Sequence, residues 1–320
     1  MTRILSLGSA LQDIYLIDRD DLTPTAIGDV AIFNKVLVGT KVDIDRISYE
    51  VGGGGINSSI TFARNGHEAI FMGNIAHDPA GGAIIRTLDR EGVDSSYVNF
   101  LERKTTGTSI VLLDSKDGER TILTCRGASE QFDNFSEKDL STISPDWLYV
   151  TTLRGDIDTL KRFFKYAHSH GIKIMFNPGV KELEKPREVL KLLEYVDVLN
   201  VNKTEAAKLV PGVMIIEFLY QLAGYAGTVI ITDGAKGGIA GDGEEIYQFG
   251  IYEDVKMKDA TGAGDAFGSG FLAKYADGQS FKNALTFASA NATSVVTKIG
   301  ANRGILTGNG KLHSMPMQKV

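Results

Sequence analysis

Residues 259–265, which read D-A-T-G-A-G-D, combine small residues with carboxylates, and three aromatic side chains spaced four residues apart follow them. That spacing predicts a helix beginning near Ala263 or Gly264. The first turn of a helix has unpartnered backbone N–H groups at the positive end of the dipole, so Gly262, Ala263 and Gly264 could hold a phosphate closely. A carboxylate beside it, here Asp265, could accept a proton or bind a metal. The segment therefore indicates phosphoryl transfer to a hydroxyl; the alternative is a helix-capping Asp, which contributes about 1 kcal/mol.

A second glycine-rich segment, G-G-G-G-I-N, occupies residues 52–57. Consecutive glycines let the backbone approach a ligand, and Asn57, in the first turn of the helix expected there, offers both a donor and an acceptor. Asp13 follows the predicted first strand, residues 4–8, at the edge where ligands gather in open α/β sheets. A flexible loop with a capping Asn is the alternative interpretation of the glycines.

Composition restricts the class of protein. The 320 residues are 43% hydrophobic and 23% charged, as in ordinary globular proteins, and a net charge of −6 without a basic block argues against a nucleic-acid partner. The single cysteine, Cys125, cannot form an internal disulfide and is expected to be a small buried hydrophobic residue. No apolar run reaches the roughly 20 residues needed to span a membrane, and no signal peptide is evident, so a cytoplasmic protein without a membrane partner is expected.

The order of the elements predicts an α/β fold. Residues 14–50 carry short apolar runs, including 36–38, that are typical of a small antiparallel sheet rather than of the core. Residues 109–114 and 121–124 flank a turn at 116–118 and predict a hairpin that could join this small sheet. From Trp147 onward strands and helices alternate, which favours a largely parallel sheet covered on both faces. The expected strands are 69–75, 147–150, 172–176, 196–201 and 229–232, the expected helices 82–91, 159–168 and 281–297, and the residues after about 308 should fray.

Together these motifs resemble those of the ribokinase/PfkB carbohydrate-kinase family. The matches keep the family's order and span nearly the whole chain; they lie at residues 8–13, 52–57, 200–205, 232–237, 259–265 and 300–301. The resemblance implies one kinase domain over residues 1–320, with a Rossmann-like, mostly parallel central sheet flanked by helices and a small β-sheet lid. The lid strands would come from about 14–50 and about 103–127.

The resemblance also implies an activity: transfer of the γ-phosphate of ATP to a hydroxymethyl group of a sugar or nucleoside. Asp265 would act as general base, and the backbone N–H groups of Gly262, Ala263 and Gly264 would form the anion hole. The other implied roles are substrate binding by Asp13, Gly53 and Asn57, nucleotide binding by Asn202, Thr232 and Gly234, and a hold on Mg²⁺ through water by Glu205. Asn202 could instead simply cap the helix that starts at Lys203, and Glu205 could instead be an exposed acid in its first turn.

Some positions depart from the family pattern. Ala260 stands where the family usually has Thr or another of a few small residues, which leaves open a monovalent-cation (K⁺) site near Asp259. Leu11 stands where ribokinases proper carry a substrate-contacting Asn, so ribose itself is doubtful. Asn177 opens an N-P-G segment in place of the usual D-x-N-x-R, and Arg126 has two open interpretations, as a substrate contact or as a surface residue.

Several functions compete with this interpretation. A nucleoside-specific kinase such as an adenosine kinase is the alternative within the class, and a non-catalytic sugar-binding regulator on the same fold would not need Asp265. A dinucleotide-dependent dehydrogenase would require G-x-G-x-x-G after the first strand, and a P-loop NTPase would require G-x-x-x-x-G-K-[ST]; neither string occurs. An exposed sheet edge on the lid would favour a homodimer.

Overall fold

The structure is a computed structural model that describes residues 1–18, 24–27, 30–33, 41, 43–114, 120–242, 245–308 and 310–320. Only the backbone is described for 18, 24–27, 30–33 and 114. The apolar run 36–38 and the turn 116–118 lie outside the described residues.

The strands in chain order are β1 (Arg3–Leu7), β2 (Leu11–Asp18), β3 (Pro24–Ile27), β4 (Val30–Phe33), β5 (Arg46–Gly52), β6 (Glu68–Ile75), β7 (Asp94–Phe100), β8 (Gly107–Asp114), β9 (Arg120–Cys125), β10 (Trp147–Val150), β11 (Lys173–Phe176), β12 (Val198–Asn202), β13 (Thr228–Thr232), β14 (Gly238–Gly241), β15 (Ile246–Phe249) and β16 (Met317–Lys319). The helices are α1 (Gly54–Arg64), α2 (Pro79–Glu91), α3 (Glu137–Ile143), α4 (Ile157–Ser169), α5 (Val180–Leu183), α6 (Pro186–Leu192), α7 (Lys203–Leu209), α8 (Ile215–Leu222), α9 (Ala263–Tyr275) and α10 (Phe281–Val296). Short 3₁₀ turns cover Gly127–Glu130, Leu193–Tyr195 and Gly234–Lys236.

A large sheet runs through the centre of the protein. Its strand order within the described residues is β16-β15-β14-β13-β12-β11-β10-β1-β6-β7. The strands from β7 to β13 are parallel, and β14, β15 and β16 extend the sheet as an antiparallel edge. The predicted parallel sheet is therefore confirmed. The expectation that the chain frays after about 308 is wrong for residues 317–319, because they form β16, which pairs with β15.

Helices cover both faces of this large sheet. Successive side chains of each strand point to opposite faces, and the apolar ones on both faces are buried by these helices. Ile4 and its neighbour Leu5 are both fully buried but belong to different apolar clusters. Leu5 packs in the cluster to which helices α3 to α8 contribute. Ile4 packs in the cluster to which α1, α2, α9 and α10 contribute. The central sheet flanked by helices agrees with the predicted fold class.

A second, small sheet consists of β5-β2-β8-β9, in that order. Strands β8 and β9 form the predicted hairpin, and β2 pairs in parallel with β8 and antiparallel with β5. Asp13 belongs to this sheet rather than to a loop, because extended structure resumes at Leu11 after a short break. Alternation on β2 directs Leu11, Asp13 and Tyr15, all buried, to the inner face.

Cys125 is exposed, so the expectation of a buried cysteine is wrong. It ends β9, which is an edge strand of the small sheet. Among the described residues, no helix is both long and apolar enough to cross a membrane.

Candidate active site

Helix α9 begins at Ala263, as the sequence predicts, and its N-cap is Gly262 with φ of 80°. A Cβ on Gly262 would lie 2.6 Å from the Cβ of Ala301, so both the backbone conformation and the space require glycine. A Cβ on Gly264 would meet nothing within 4 Å, because this residue faces open space. Among the described residues, no acceptor bonds the backbone N–H groups of Gly262 and Gly264, whereas that of Ala263 makes a long 3.4 Å bond to Ala260. The helix end therefore offers N–H donors to an anion.

Asp265 lies in the first turn of α9, where its Oδ2 accepts a 2.9 Å hydrogen bond from Nδ2 of Asn57 on α1. Burial raises the pKa of Asp265, and the hydrogen bond from Asn57 opposes that shift. A carboxylate with a raised pKa binds a proton more readily, which suits a general base.

The acceptor pocket is a cavity of about 290 Å³ between the large and small sheets. It brings together the predicted substrate residues Asp13, Gly53 and Asn57 with the predicted base Asp265. Gly53 has φ of 97°, and a Cβ there would lie 2.4 Å from the carbonyl oxygen of Ser9. This glycine therefore lets the start of α1 pass close to the end of β1.

Asp13 is only 5% exposed on the pocket wall. Burial raises the pKa of its carboxyl to about 6, opposed first by a hydrogen bond from Ser109 and supported by the charge of Asp259. A Cβ on Gly52 would lie 2.2 Å from Oδ2 of Asp13, so the adjoining strand leaves room for this carboxylate. A buried carboxylate facing a cavity is a strong acceptor for ligand hydroxyl groups.

A second cavity of about 420 Å³ lies on the other side of the α9 N-terminus and is called the nucleotide pocket after the role that the sequence predicts for its residues. Asn202, Thr232 and Gly234, which the sequence predicts for the nucleotide, all line it. Its apolar walls include Phe249, Val255, Met257, Phe267 and Val296. Polar groups at one end and apolar walls at the other suit a ligand that joins phosphates to an aromatic base.

A channel of about 260 Å³ connects the two pockets along the start of α9. Gly262, Ala263, Gly264 and Asp265 line it. Asp265 also lines the acceptor pocket, and Gly264 also lines the nucleotide pocket. The predicted base Asp265 thus lies where the acceptor pocket meets the channel.

Glu205 and Asn202 form a reciprocal cap at the start of α7. The Asn202 side chain accepts from the Glu205 N–H, and Glu205 Oε2 accepts from the Asn202 N–H, each at 2.9 Å. Asn202 therefore does cap α7, and both residues also line the channel. Burial raises the pKa of Glu205, as expected for a carboxyl that faces a cavity.

The oxygen donors around the channel fit a hydrated Mg²⁺. Oε1 of Glu205 has no hydrogen bond from a described residue, and Oδ1 of Asn200 is buried without a partner. No cluster of three or more His, Cys, Asp or Glu side chains suited to a metal occurs among the described residues. Mg²⁺ usually binds through one or two carboxylates, waters and the phosphates of its substrate, so this sparse set is sufficient.

Arg120, which sequence reasoning missed, also lines the channel. Its Nε is buried without a hydrogen-bond partner and lies 4.0 Å from Oδ1 of Asp259. The signal was the alternation along β9, since Ile122, Thr124 and Arg126 line the acceptor pocket at two-residue intervals after it. The register of the hairpin, not the sequence pattern, directs this face inward.

Asp78 lies outside these cavities and caps α2 through a 2.8 Å hydrogen bond from the Gly81 N–H. Leu11 is a pocket residue, so an apolar side chain forms part of the acceptor wall. Asn177 also lines the pocket, in the segment that departs from the family pattern.

Comparison with known proteins agrees with this geometry. The sequence model described as pfkB family carbohydrate kinase matches residues 1–307. A ribokinase of Bacillus subtilis is 30% identical over 261 residues, which cover 81% of this chain and 85% of the relative. The structure of Arabidopsis thaliana ribokinase complexed with ribose and ATP matches with a TM-score of 0.78 and 24% identity, covering 96% of this chain and 97% of the other. An E. coli protein assigned as a ribokinase II, in complex with ATP and Mg²⁺, matches with a TM-score of 0.79 and 19% identity, covering 96% of both chains.

Proposed function

Since the chain belongs to the pfkB family of carbohydrate kinases and is an ATP-dependent kinase of a sugar or nucleoside, we propose that Asp265 is its general base. Asp265 takes the proton of the acceptor hydroxyl while the hydroxyl oxygen attacks the γ-phosphorus of ATP. The new P–O bond replaces the bond to the β-phosphate oxygen, and ADP leaves with the electron pair. The anion hole for the transferred group is the start of α9, at Gly262, Ala263 and Gly264.

The observation that carries this assignment is the position of Asp265 at the junction of two cavities. A base must reach the acceptor oxygen and lie beside the phosphoryl group it receives, and Asp265 lines both the acceptor pocket and the phosphate channel. The 2.9 Å hydrogen bond from Asn57 fixes the carboxylate and leaves Oδ1 for the proton. Asp13 is less suited to be the base, because it lines the acceptor pocket alone.

Bound Mg²⁺ would neutralise charge on the phosphates, with Glu205 holding it through water. Asn202, Thr232 and Gly234 would contact the nucleotide. Arg120 supplies a second positive charge to the same channel, where its guanidinium would attract a phosphate oxygen. An arginine is effective in this role because it remains charged and binds oxyanions through several N–H groups.

Substitution Asp265→Asn tests the base. General-base catalysis contributes roughly 10²- to 10⁴-fold, so we expect a loss of kcat in that range when ADP release is followed by a coupled assay. Acceptor binding, measured by calorimetry, should change little because the amide keeps the size of the side chain. Asp89→Asn, at an exposed position of α2, is the matched control. Retention of wild-type kcat in Asp265→Asn would show that another group takes the proton.

A monovalent cation such as K⁺ beside Asp259 is part of the same proposal. The Asp259 carboxylate is fully buried and accepts N–H groups of Thr261 and Gly300 at 2.9 and 3.0 Å. Among the described residues its closest cationic group is Arg120 at 4.0 Å, so a small cation would find an incompletely neutralised charge. Activity that is equal in KCl and in tetramethylammonium chloride would remove this part of the proposal.

We also propose a cytoplasmic homodimer that associates through the small sheet, which would act as a lid. The outer face of that sheet carries apolar side chains in cross-strand rows, with Tyr49 63% exposed, Leu123 57% and Ile47 50%. Exposed apolar rows of this kind are typical of association surfaces. Light scattering should give a dimer for the wild type and a monomer for Leu123→Glu; a wild-type monomer at micromolar concentration would contradict the proposal.

A further inference from the structure

Arg126 follows β9 directly and lines the acceptor pocket, at the opposite end of the same strand face from Arg120. Arg126 is six residue steps from Arg120, which corresponds to about 20 Å of extended backbone. Arg120 lies at the channel, where the phosphoryl group is transferred. Arg126 therefore faces a part of the acceptor remote from the reacting hydroxyl.

The guanidinium of Arg126 is half-buried and lacks an anionic partner. Among the described residues, none forms a hydrogen bond or ion pair with its side chain. Burial lowers its pKa, and the neighbouring charge of Arg154 adds to this effect, whereas the charges of Glu130 and Asp13 oppose it without reaching ion-pair distance. The charge of Arg154 is itself matched, because Nε and Nη2 bond Glu130 at 3.2 and 3.3 Å.

Asp13 does not supply the missing partner. It lines the same pocket, but no ion pair joins it to Arg126, and its pKa stays raised although Arg126 lowers it. In the open pocket water can solvate the guanidinium. An acceptor that fills the pocket displaces this water, and a buried cation without new acceptor oxygens is strongly unfavourable.

We propose that the acceptor carries a phosphate or carboxylate group besides its reactive hydroxyl, and that Arg126 binds this group. The inference rests on the proposed kinase function and specifies its substrate class as anionic sugars. A guanidinium group binds a planar carboxylate or a tetrahedral phosphate through paired hydrogen bonds. Both groups are oxyanions, and this is the property that Arg126 would recognise. Asp13 and Asn57 would then contact the hydroxyl groups between the two ends.

Turnover of matched acceptors tests the inference. The panel is ribose 1-phosphate and fructose 1-phosphate as phosphates, gluconate as a carboxylate, and ribose, fructose and adenosine as neutral acceptors. We expect a higher kcat/KM for at least one anionic acceptor than for every neutral one. Arg126→Gln should lower kcat/KM for that acceptor roughly 10- to 100-fold, mainly through KM, since hydrogen bonds to charged groups are worth that factor. Values for neutral acceptors should stay within about twofold.

Two variants control for structural effects. Arg126→Lys keeps the charge and should recover part of the loss, whereas Arg46→Gln, an exposed position of β5 in the same sheet, should leave all values unchanged. A neutral acceptor that the wild type uses best, with equal kcat/KM in Arg126→Gln, would overturn the inference while leaving the kinase function intact. If no acceptor releases ADP, the kinase function fails. Calorimetric binding of the same panel without nucleotide then decides whether Arg126 binds an anion.

Discussion

The substitution Asp13→Asn should stabilise this protein at neutral pH while weakening its binding of acceptor. Burial raises the Asp13 pKa from 3.8 to about 6, which means that the folded state binds the proton more tightly than the unfolded state. Above pH 6 the protein must therefore keep a carboxylate ionised in a place that disfavours the charge. A shift of about two units corresponds to about 3 kcal/mol, because each unit is worth roughly 1.4 kcal/mol.

The sign of the pH dependence follows from the same shift. For a carboxyl with a raised folded-state pKa, the unfavourable contribution grows between pH 3.8 and about pH 6 and is constant above that range. At pH 5 it is about half of its value at pH 8. The amide of Asn remains neutral throughout, and its oxygen can still accept a hydrogen bond from Ser109. Asp13→Asn should thus gain up to about 3 kcal/mol in the free energy of unfolding at pH 8 and about half of that at pH 5.

Urea unfolding at pH 5 and pH 8, with wild type and Asp13→Asn measured in parallel, provides the values. Asp89→Asn, an exposed aspartate, should show no such difference between the two pH values. A gain of stability that is equal at both pH values would refute the reasoning, as would a loss at both. Acceptor affinity should fall at the same time, because a neutral amide is a weaker hydroxyl acceptor than a carboxylate.

Two further predictions concern the phosphate side of the site. Asn57→Ala removes the hydrogen bond that lowers the Asp265 pKa, so the acid limb of the kcat/KM profile should move to higher pH; an unmoved limb would show that Asn57 does not act on the pKa of the base. Gly264→Ala should leave the melting temperature within about 1 °C of wild type but raise KM for ATP, since the added methyl faces open space in the channel. Gly262→Ala should instead lower the melting temperature clearly, because φ is 80° there and a neighbouring methyl lies 2.6 Å away; equal melting temperatures for the two variants would contradict this account.

The elements of the central sheet were predictable because their strands are apolar on both faces. Strand β10 has the predicted bounds, and α9 begins at the predicted Ala263. The edge strand β16 was not predictable, since residues 317–319 carry no apolar alternation and become a strand only by pairing with β15. Pairing partners distant in sequence decide such edges, and local composition does not report them.

The predicted site residues gather in three adjoining cavities, but their roles remain proposals. They were predictable from motifs at the ends of strands and helices, because residues adjacent in sequence determine the backbone geometry there. Arg120 escaped this reasoning because it is a single arginine on a strand, whereas Arg126, which directly follows that strand, was left with two open interpretations. Which face of that strand points inward depends on the hairpin register, and a shift of one residue would turn both arginines outward. The same alternation turns Cys125 to the outside, contrary to expectation.

The contact between α1 and α9 affects how the protein folds during its synthesis. Asn57 bonds Asp265, and the buried hydroxyl of Thr61 bonds that of Ser269 at 2.9 Å, each pair being 208 residues apart. During synthesis α1 emerges from the ribosome long before α9, so the polar side chains of α1 lack their hydrogen-bond partners during that time. Contacts so distant in sequence slow folding, so the closing of α9 onto α1 should come late. Most of the acceptor pocket would then form in the nascent chain before Asp265 is in place. Phosphate transfer would become possible only after α9 has left the ribosome.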